Sequence, residues 1–205
     1  LSPLRAFSCF KMNFGILISC IFFFSLIKLV INEEQLCDCA NREHLLILSP
    51  GHNIRCGSLG PLSMFQKKPR VLHFNQVHPS KHYVLVMDDP DAKGGGSNVI
   101  GRSRAAGYLH WIRTGISGGS LAEGQGQIDG VDAVPYTPPS PPKGDGQHAY
   151  RFFLLEYTSD AQREKFDIPA DLRRMPFDME TFLERTGLSR PVACFKYTAQ
   201  YEDKP

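Results

Sequence analysis

The segment Tyr150-Arg151-Phe152-Phe153-Leu154-Leu155-Glu156-Tyr157 sets the tightest limit on what this chain can fold into. It has the length of a strand, it is rich in aromatic residues, and it is apolar at odd and even positions alike. A strand with that pattern is stable only when it is covered on both faces. Other segments are suited to pair with it. Val71 to Phe74 follows Pro69 and reads as a short strand, and Tyr83 to Met87 is rich in β-formers and runs into an Asp-Pro turn. Tyr108 to Arg113 reads as another strand, ended by Gly115. Pro191 opens a last strand, with Val192, Cys194 and Lys196 expected on one face and Ala193, Phe195 and Tyr197 on the other. One helix is predicted over Met179 to Thr186: Asp178 can cap it, Phe182 and Leu183 face inward, and Gly187 closes it.

The chain is therefore expected to be mainly β, with short peripheral helices. Its 205 residues suit one domain plus a leader. The apolar fraction of 42% and charged fraction of 21% exclude global disorder. A net charge of +2, with no dense basic run, gives no footing for nucleic acid. Ser117 to Gly146 is dominated by Gly, Pro and Ser and is too long for a plain connector, which points to a functional or disordered segment. Gly94-Gly95-Gly96 reads as a flexible loop.

The first 36 residues differ in kind. Arg5 and Lys11 precede an apolar run from Phe14 to Ile27, followed by Lys28 and then Glu33-Glu34. This pattern predicts a secretory signal started at Met12 and removed between about Val30 and Cys37, leaving residues 37–205 as an extracellular domain. The alternative is a membrane anchor over Phe14 to Ile31, of about 18 residues if Lys28 snorkels. Cys9 and Cys20 lie in the leader, whereas Cys37, Cys39, Cys56 and Cys194 form an even set downstream. Disulfides are expected among these four, with three pairings open. Zinc binding by Cys37 and Cys39 with other ligands is the competing reading, and their one-residue gap is short for it.

Three clusters carry chemistry: Asp88-Asp89-Pro90-Asp91-Ala92 where a strand ends, His110-Trp111 inside a strand, and the rigid turn Pro141-Pro142-Lys143-Gly144-Asp145-Gly146 that leads into Gln147-His148-Ala149-Tyr150. Singly, each has an ordinary structural explanation as a solvated turn, a core histidine or a glycine turn. Together and in this order they resemble the signature segments of the phosphatidylethanolamine-binding proteins, and Pro191 through Tyr201 resembles that family's last strand. The resemblance covers roughly Cys56 to Asp203 and is nearest to an exported, cysteine-bearing branch.

The resemblance implies a large antiparallel sheet packed on a smaller one, with a shallow pocket at one end for phosphate-type anions such as phospholipid head groups. It places Asp89, Asp91, His110, Pro142, His148 and Tyr150 in that pocket. Histidines and backbone N–H groups would donate to phosphate oxygens, and Asp89 would orient a histidine or accept from a head-group ammonium. A nearby carboxylate would also favour histidine protonation. The implied function is a secreted anion or head-group binder whose membrane contact, if any, is peripheral. The alternative is an extracellular serine protease inhibitor or signalling modulator of the same family. The chain departs from the family pattern at Lys93 and the three glycines, where a proline is usual, and at Ala149, where an arginine is usual. It also ends at Pro205, where many relatives continue into a helix beside the pocket.

Catalysis is not expected, and no cofactor is called for. The histidines lack the compact spacing of metalloenzyme motifs, and no Gly-X-Ser-X-Gly elbow is present. Asp89-Pro90-Asp91 begins like a calcium loop, but Lys93 stands where an oxygen ligand belongs, and no closing Glu follows.

Overall fold

In the computed structural model, the described residues are 36–40, 46–49, 55–74, 76–93, 107–123 and 128–203. The predicted leader falls on residues 1–36, all but Leu36 outside the described residues, and so does the Gly94–Gly96 loop. Among the described residues no helix is long and apolar enough to cross a membrane.

The apolar run over residues 150–156 lies in β6 (Gln147–Glu156), inside a five-stranded antiparallel sheet. The other strands are β3 (His82–Asp89), β4 (Tyr108–Ser117), β5 (Val131–Val134) and β7 (Pro191–Gln200), in the order β5-β4-β3-β6-β7. A smaller antiparallel sheet pairs β1 (Leu46–Ser49) with β2 (Arg70–Phe74). Among the described residues there are also three short α-helices, α1 (Gly118–Ala122), α2 (Asp160–Lys165) and α3 (Met179–Thr186), and a single 3-10 turn over Leu62–Phe65.

The doubly apolar pattern of β6 is explained by cover on both faces. Phe152 and Leu154 join Tyr83, Leu85, Phe195 and Tyr197 in a front core that also takes in Met64, Phe65 and Phe74. Phe153 and Leu155 point the other way, with Val84, Val86 and Cys194, and pack on Phe177, Met179, Phe182 and Leu183. Each such side chain, fully buried, contributes about 1.5–3 kcal/mol.

Helix α3 has the predicted bounds. The Asp178 carboxylate accepts from Thr181 N at 2.7 Å, and Gly187 closes the helix with φ +65°. That cap satisfies an end donor, and the left-handed turn suits a residue without Cβ.

Three expectations are corrected. Gly115 does not end its strand, because β4 runs on to Ser117 with Gly115 at φ +68° inside it. The Ser117–Gly146 segment is partly regular, since it holds α1 and β5. Strict alternation in β7 fails at its start: Leu154 pairs with Ala193 and Leu155 with Pro191, leaving Val192 as an extra residue packed toward the front core.

Two disulfides are present, Cys37–Cys194 and Cys39–Cys56. The first ties the start of the described chain to β7, and Leu36 beside it is buried in the rear core.

Candidate functional site

Antiparallel pairing fixes where the charged ends of the strands meet. The C-terminal end of β3 lies beside the N-terminal ends of β4 and β6, so Asp89, His110 and His148 gather at one end of the sheet. The alternation that sends Leu85 and Met87 to the front also sends Asp89 there, and in β6 it sends His148 with Phe152.

His110 reaches the same face by a different route. Met87 pairs with Trp111, and Asp88 pairs with Leu109, so His110 is the extra residue of a β-bulge. Without the bulge, His110 and Trp111 would point to opposite faces. Bulges re-aim a side chain in this way and often sit beside functional sites. The bulge is held from outside the sheet. Arg174 donates from Nη1 to the carbonyls of Leu109 at 2.8 Å and His110 at 3.1 Å, and from Nη2 to Pro135 at 2.6 Å. The backbone of residues 174–177 approaches closely enough that a Cβ on Gly107 would lie 2.0 Å from the Phe177 carbonyl oxygen. Gly107, at φ +62°, is thus required by both space and conformation.

These elements enclose a cavity of about 220 Å³. Its wall includes Asp89, His110, Pro142, His148 and Tyr150 of the predicted residues. Asp91 is not part of the wall. Its carboxylate instead accepts from the Ala149 N–H at 2.7 Å, and its own N–H donates to Asp89 Oδ1 at 2.9 Å. Asp91 therefore fixes backbone beside the cavity rather than facing a ligand. Lys93 does line the cavity, ion-paired to Asp145 at 3.2 Å.

Sequence reasoning missed Tyr108, Thr137, Ser140 and Met175, which complete the wall, and Arg174 behind it. Tyr108 had a legible signal, being two residues before His110 on a strand. The others come from irregular segments whose approach depends on tertiary packing.

The electrostatics are more specific than the residue types suggest. His148 Nδ1 lies 2.8 Å from Asp89 Oδ2, and both residues are buried. An ionised carboxylate only accepts, so Nδ1 carries a proton. His148 Nε2, also buried, has no hydrogen-bond partner, and neither does Tyr150 Oη. Burial pushes the Asp89 carboxyl up from its usual range, and the bond to His148 pulls it back. Burial likewise pushes the Tyr150 phenol up, so it stays protonated and able to donate.

His110 differs. Its Nδ1 is 2.8 Å from the Thr137 carbonyl oxygen, which can only accept, so Nδ1–H is the donor. Burial lowers its pKa to about 4. Near neutrality His110 therefore offers the cavity a lone pair at Nε2, not a proton. The expectation that both histidines donate to an anion is corrected for this one, since desolvation of the ring, helped by the nearby Arg174 charge, outweighs the hydrogen bond to Thr137.

The wall thus combines donors, namely Tyr150 Oη–H, Lys93 and His148 Nε2 when that ring carries two protons, with acceptors that include His110 Nε2. Such a set fits a small ligand that bears both negative oxygens and a hydroxyl or ammonium proton.

Behind the wall, Arg151 and Asp88 form a buried pair, with Nε to Oδ1 at 2.9 Å and Nη2 to Oδ2 at 2.6 Å. Burial raises the Asp88 carboxyl's pKa, and Arg151 opposes this.

Residues 49–197 match the family model described as phosphatidylethanolamine-binding protein. The Arabidopsis thaliana protein BROTHER of FT and TFL 1 is 34% identical over 159 residues, covering 78% of this chain and 77% of that protein. LppC of Mycobacterium tuberculosis is 44% identical over 78 residues, 34% of this chain; the match spans only 33% of LppC's length. Among solved structures, a carboxypeptidase Y inhibitor bound to its cognate proteinase superposes with a TM-score of 0.57 at 18% identity, covering 78% of this chain and 84% of that one. A Plasmodium falciparum phosphatidylethanolamine-binding protein gives 0.53 at 17%, covering 78% and 88%. At these identities the two structures establish the fold, a large antiparallel sheet with few helices.

Proposed function

This chain belongs to the phosphatidylethanolamine-binding protein family, and from that premise we propose that it is a binding protein for phosphate-type head groups, acting outside the cell rather than as an enzyme. The observation that carries the reading is the pair of buried polar atoms without a hydrogen bond, His148 Nε2 and Tyr150 Oη, on the wall of one cavity, with Asp145 Oδ2 3.9 Å from Nε2. An unsatisfied buried polar group costs about 1–3 kcal/mol, and a ligand that bonds both removes that cost. A phosphate monoester with one protonated oxygen meets the whole set. Its P–OH donates to His110 Nε2, and its remaining oxygens accept from Tyr150, Lys93 and doubly protonated His148. An ethanolamine ammonium is the alternative donor to His110. Among the described residues that line the cavity, Tyr150 is held protonated and Ser140 is the only serine or cysteine.

Two features support export: the predicted signal in residues 1–36, and the two disulfides, which persist in oxidising compartments. Calorimetric titration with phosphorylethanolamine tests the reading. Binding that is lost in well-folded His148→Ala and Tyr150→Phe supports it, and absence of binding to the native chain refutes it. The protease-inhibitor alternative starts from likeness of fold to the carboxypeptidase Y inhibitor, with no residue of this chain behind it. Inhibition of an extracellular protease that persists in the same two variants would favour it.

A further inference from the structure

Away from the cavity, three of the four downstream cysteines bring their sulfurs together. The Sγ atoms of Cys37, Cys39 and Cys56 all lie within 4.8 Å of one another, although they belong to two different bridges. The fourth sulfur, Cys194, lies outside that 4.8 Å group but is bonded to Cys37 at 2.04 Å. Four thiolates around a tetrahedral zinc ion, each about 2.3 Å from it, stand roughly 3.8 Å apart. Closing on such an ion therefore asks each bonded pair to part by about 1.8 Å, keeps Cys37, Cys39 and Cys56 within reach of that spacing, and brings Cys194 in from beside Cys37.

The surroundings favour that closure. Cys194 is fixed in the middle of β7, and Cys56 is held beside it, because Gly57 N donates to the Lys196 carbonyl at 2.7 Å. Lys196 N in turn donates to Cys56 Sγ at 3.3 Å. Bonds of this kind to sulfur orient ligands and stabilise thiolate charge. Cys37 and Cys194 are buried, while Cys39 and Cys56 are partly exposed, which leaves a path for an ion from solvent.

We propose that Cys37, Cys39, Cys56 and Cys194 form a soft-metal site when the chain is reduced, so that one zinc-type ion and two disulfides are interchangeable staples at the same place. The chemistry balances. Opening both bridges takes four electrons and four protons from a dithiol or phosphine reductant, giving four thiols. One divalent ion then binds four thiolates and displaces up to four protons. Reoxidation by two equivalents of a small-molecule disulfide, which take up the four electrons and leave as thiols, reforms the bridges and expels the ion.

The test uses the full chain with Cys9→Ser and Cys20→Ser, so that only these four thiols are left. It is reduced with a phosphine without oxygen and titrated with Co²⁺, then Zn²⁺. The expected result is one Co²⁺ per chain with the intense visible bands of tetrahedral thiolate coordination, displacement by Zn²⁺, proton release, and a higher melting temperature than the reduced apo chain. If the reduced chain unfolds without metal, Zn²⁺ should restore its near-ultraviolet circular dichroism. Cys56→Ser and, separately, Cys39→Ser should each weaken binding by roughly tenfold or more. Three results overturn the proposal: no tetrahedral spectrum and no refolding on adding metal, equal binding by the oxidised chain, or unchanged affinity in both serine variants.

Discussion

His148 Nδ1 and Asp89 Oδ2 lie 2.8 Å apart across 59 residues of sequence, both buried where β6 and β3 meet. The contact fixes which histidine nitrogen faces the cavity and links head-group binding to one carboxylate. Asp89→Asn keeps the shape but removes the charge that balances a doubly protonated ring. Affinity for phosphorylethanolamine should fall by about 1.5–3 kcal/mol, the worth of a hydrogen bond to a charged group. His148→Ala should lose a similar amount. Calorimetry with parallel thermal melts checks both. Loss of stability with affinity unchanged would leave the pair a purely structural contact.

His110 makes stability depend on pH. Its pKa is about 4 in the folded chain against an ordinary 6.5, so the unfolded chain binds the proton more readily. The stabilisation is thus complete above pH 6.5 and is lost as pH falls through the window down to about 4. The total is on the order of 3 kcal/mol. Asp89 works in the opposite sense, because its raised carboxyl pKa adds stability as pH falls. The measurement that isolates the histidine is the difference in denaturant stability between native chain and His110→Gln from pH 7 to pH 4. That difference should shrink as the pH falls.

Lys93 separates affinity from stability. Its ion pair with Asp145 is half exposed, so Lys93→Ala should change stability by less than about 1 kcal/mol. Affinity for an anionic head group should nevertheless fall, and its salt dependence should weaken, as measured by titration at two ionic strengths.

Arg174 acts through the bulge. Arg174→Ala frees the carbonyls of Leu109, His110 and Pro135 and should weaken head-group binding without touching the ligand. Arg174→Lys restores a charge but not the planar fork, and should rescue only partly. Unchanged affinity in Arg174→Ala would show that the bulge holds itself.

The two disulfides differ in the loop they close. Opening Cys37–Cys194, with a separation of 157, should cost roughly 5 kcal/mol, against roughly 3 for Cys39–Cys56, separated by 17. Urea melts of Cys194→Ser and Cys39→Ser give the comparison.

What could be read from the sequence was what is encoded locally. Strand β6 declared itself because both of its faces are apolar, and α3 because Asp178 and Gly187 mark its ends. The cavity residues followed from resemblance, while their roles did not. Whether Asp91 faces a ligand or an N–H depends on the backbone of Ala149, 58 residues away. The tautomer of His110 depends on Thr137, and its direction depends on a bulge defined only by the pairing of β3 with β4. Gly115 looked like a stop signal because a positive φ usually ends a strand, yet β4 carries it through to Ser117.

The bridge from Cys37 to Cys194 also has a consequence in time. A ribosome delivers the partner 157 residues late, about 8 to 30 s at ordinary elongation rates. Through that interval Cys37 is an unpaired thiol, while Cys39 and Cys56 are already synthesised beside it. The native pairing is therefore the last to become available, and any oxidation before then has only other sulfurs to join to Cys37. Correct closure has to wait for β7, which makes the last strand of the sheet the step that seals the first residues of the domain.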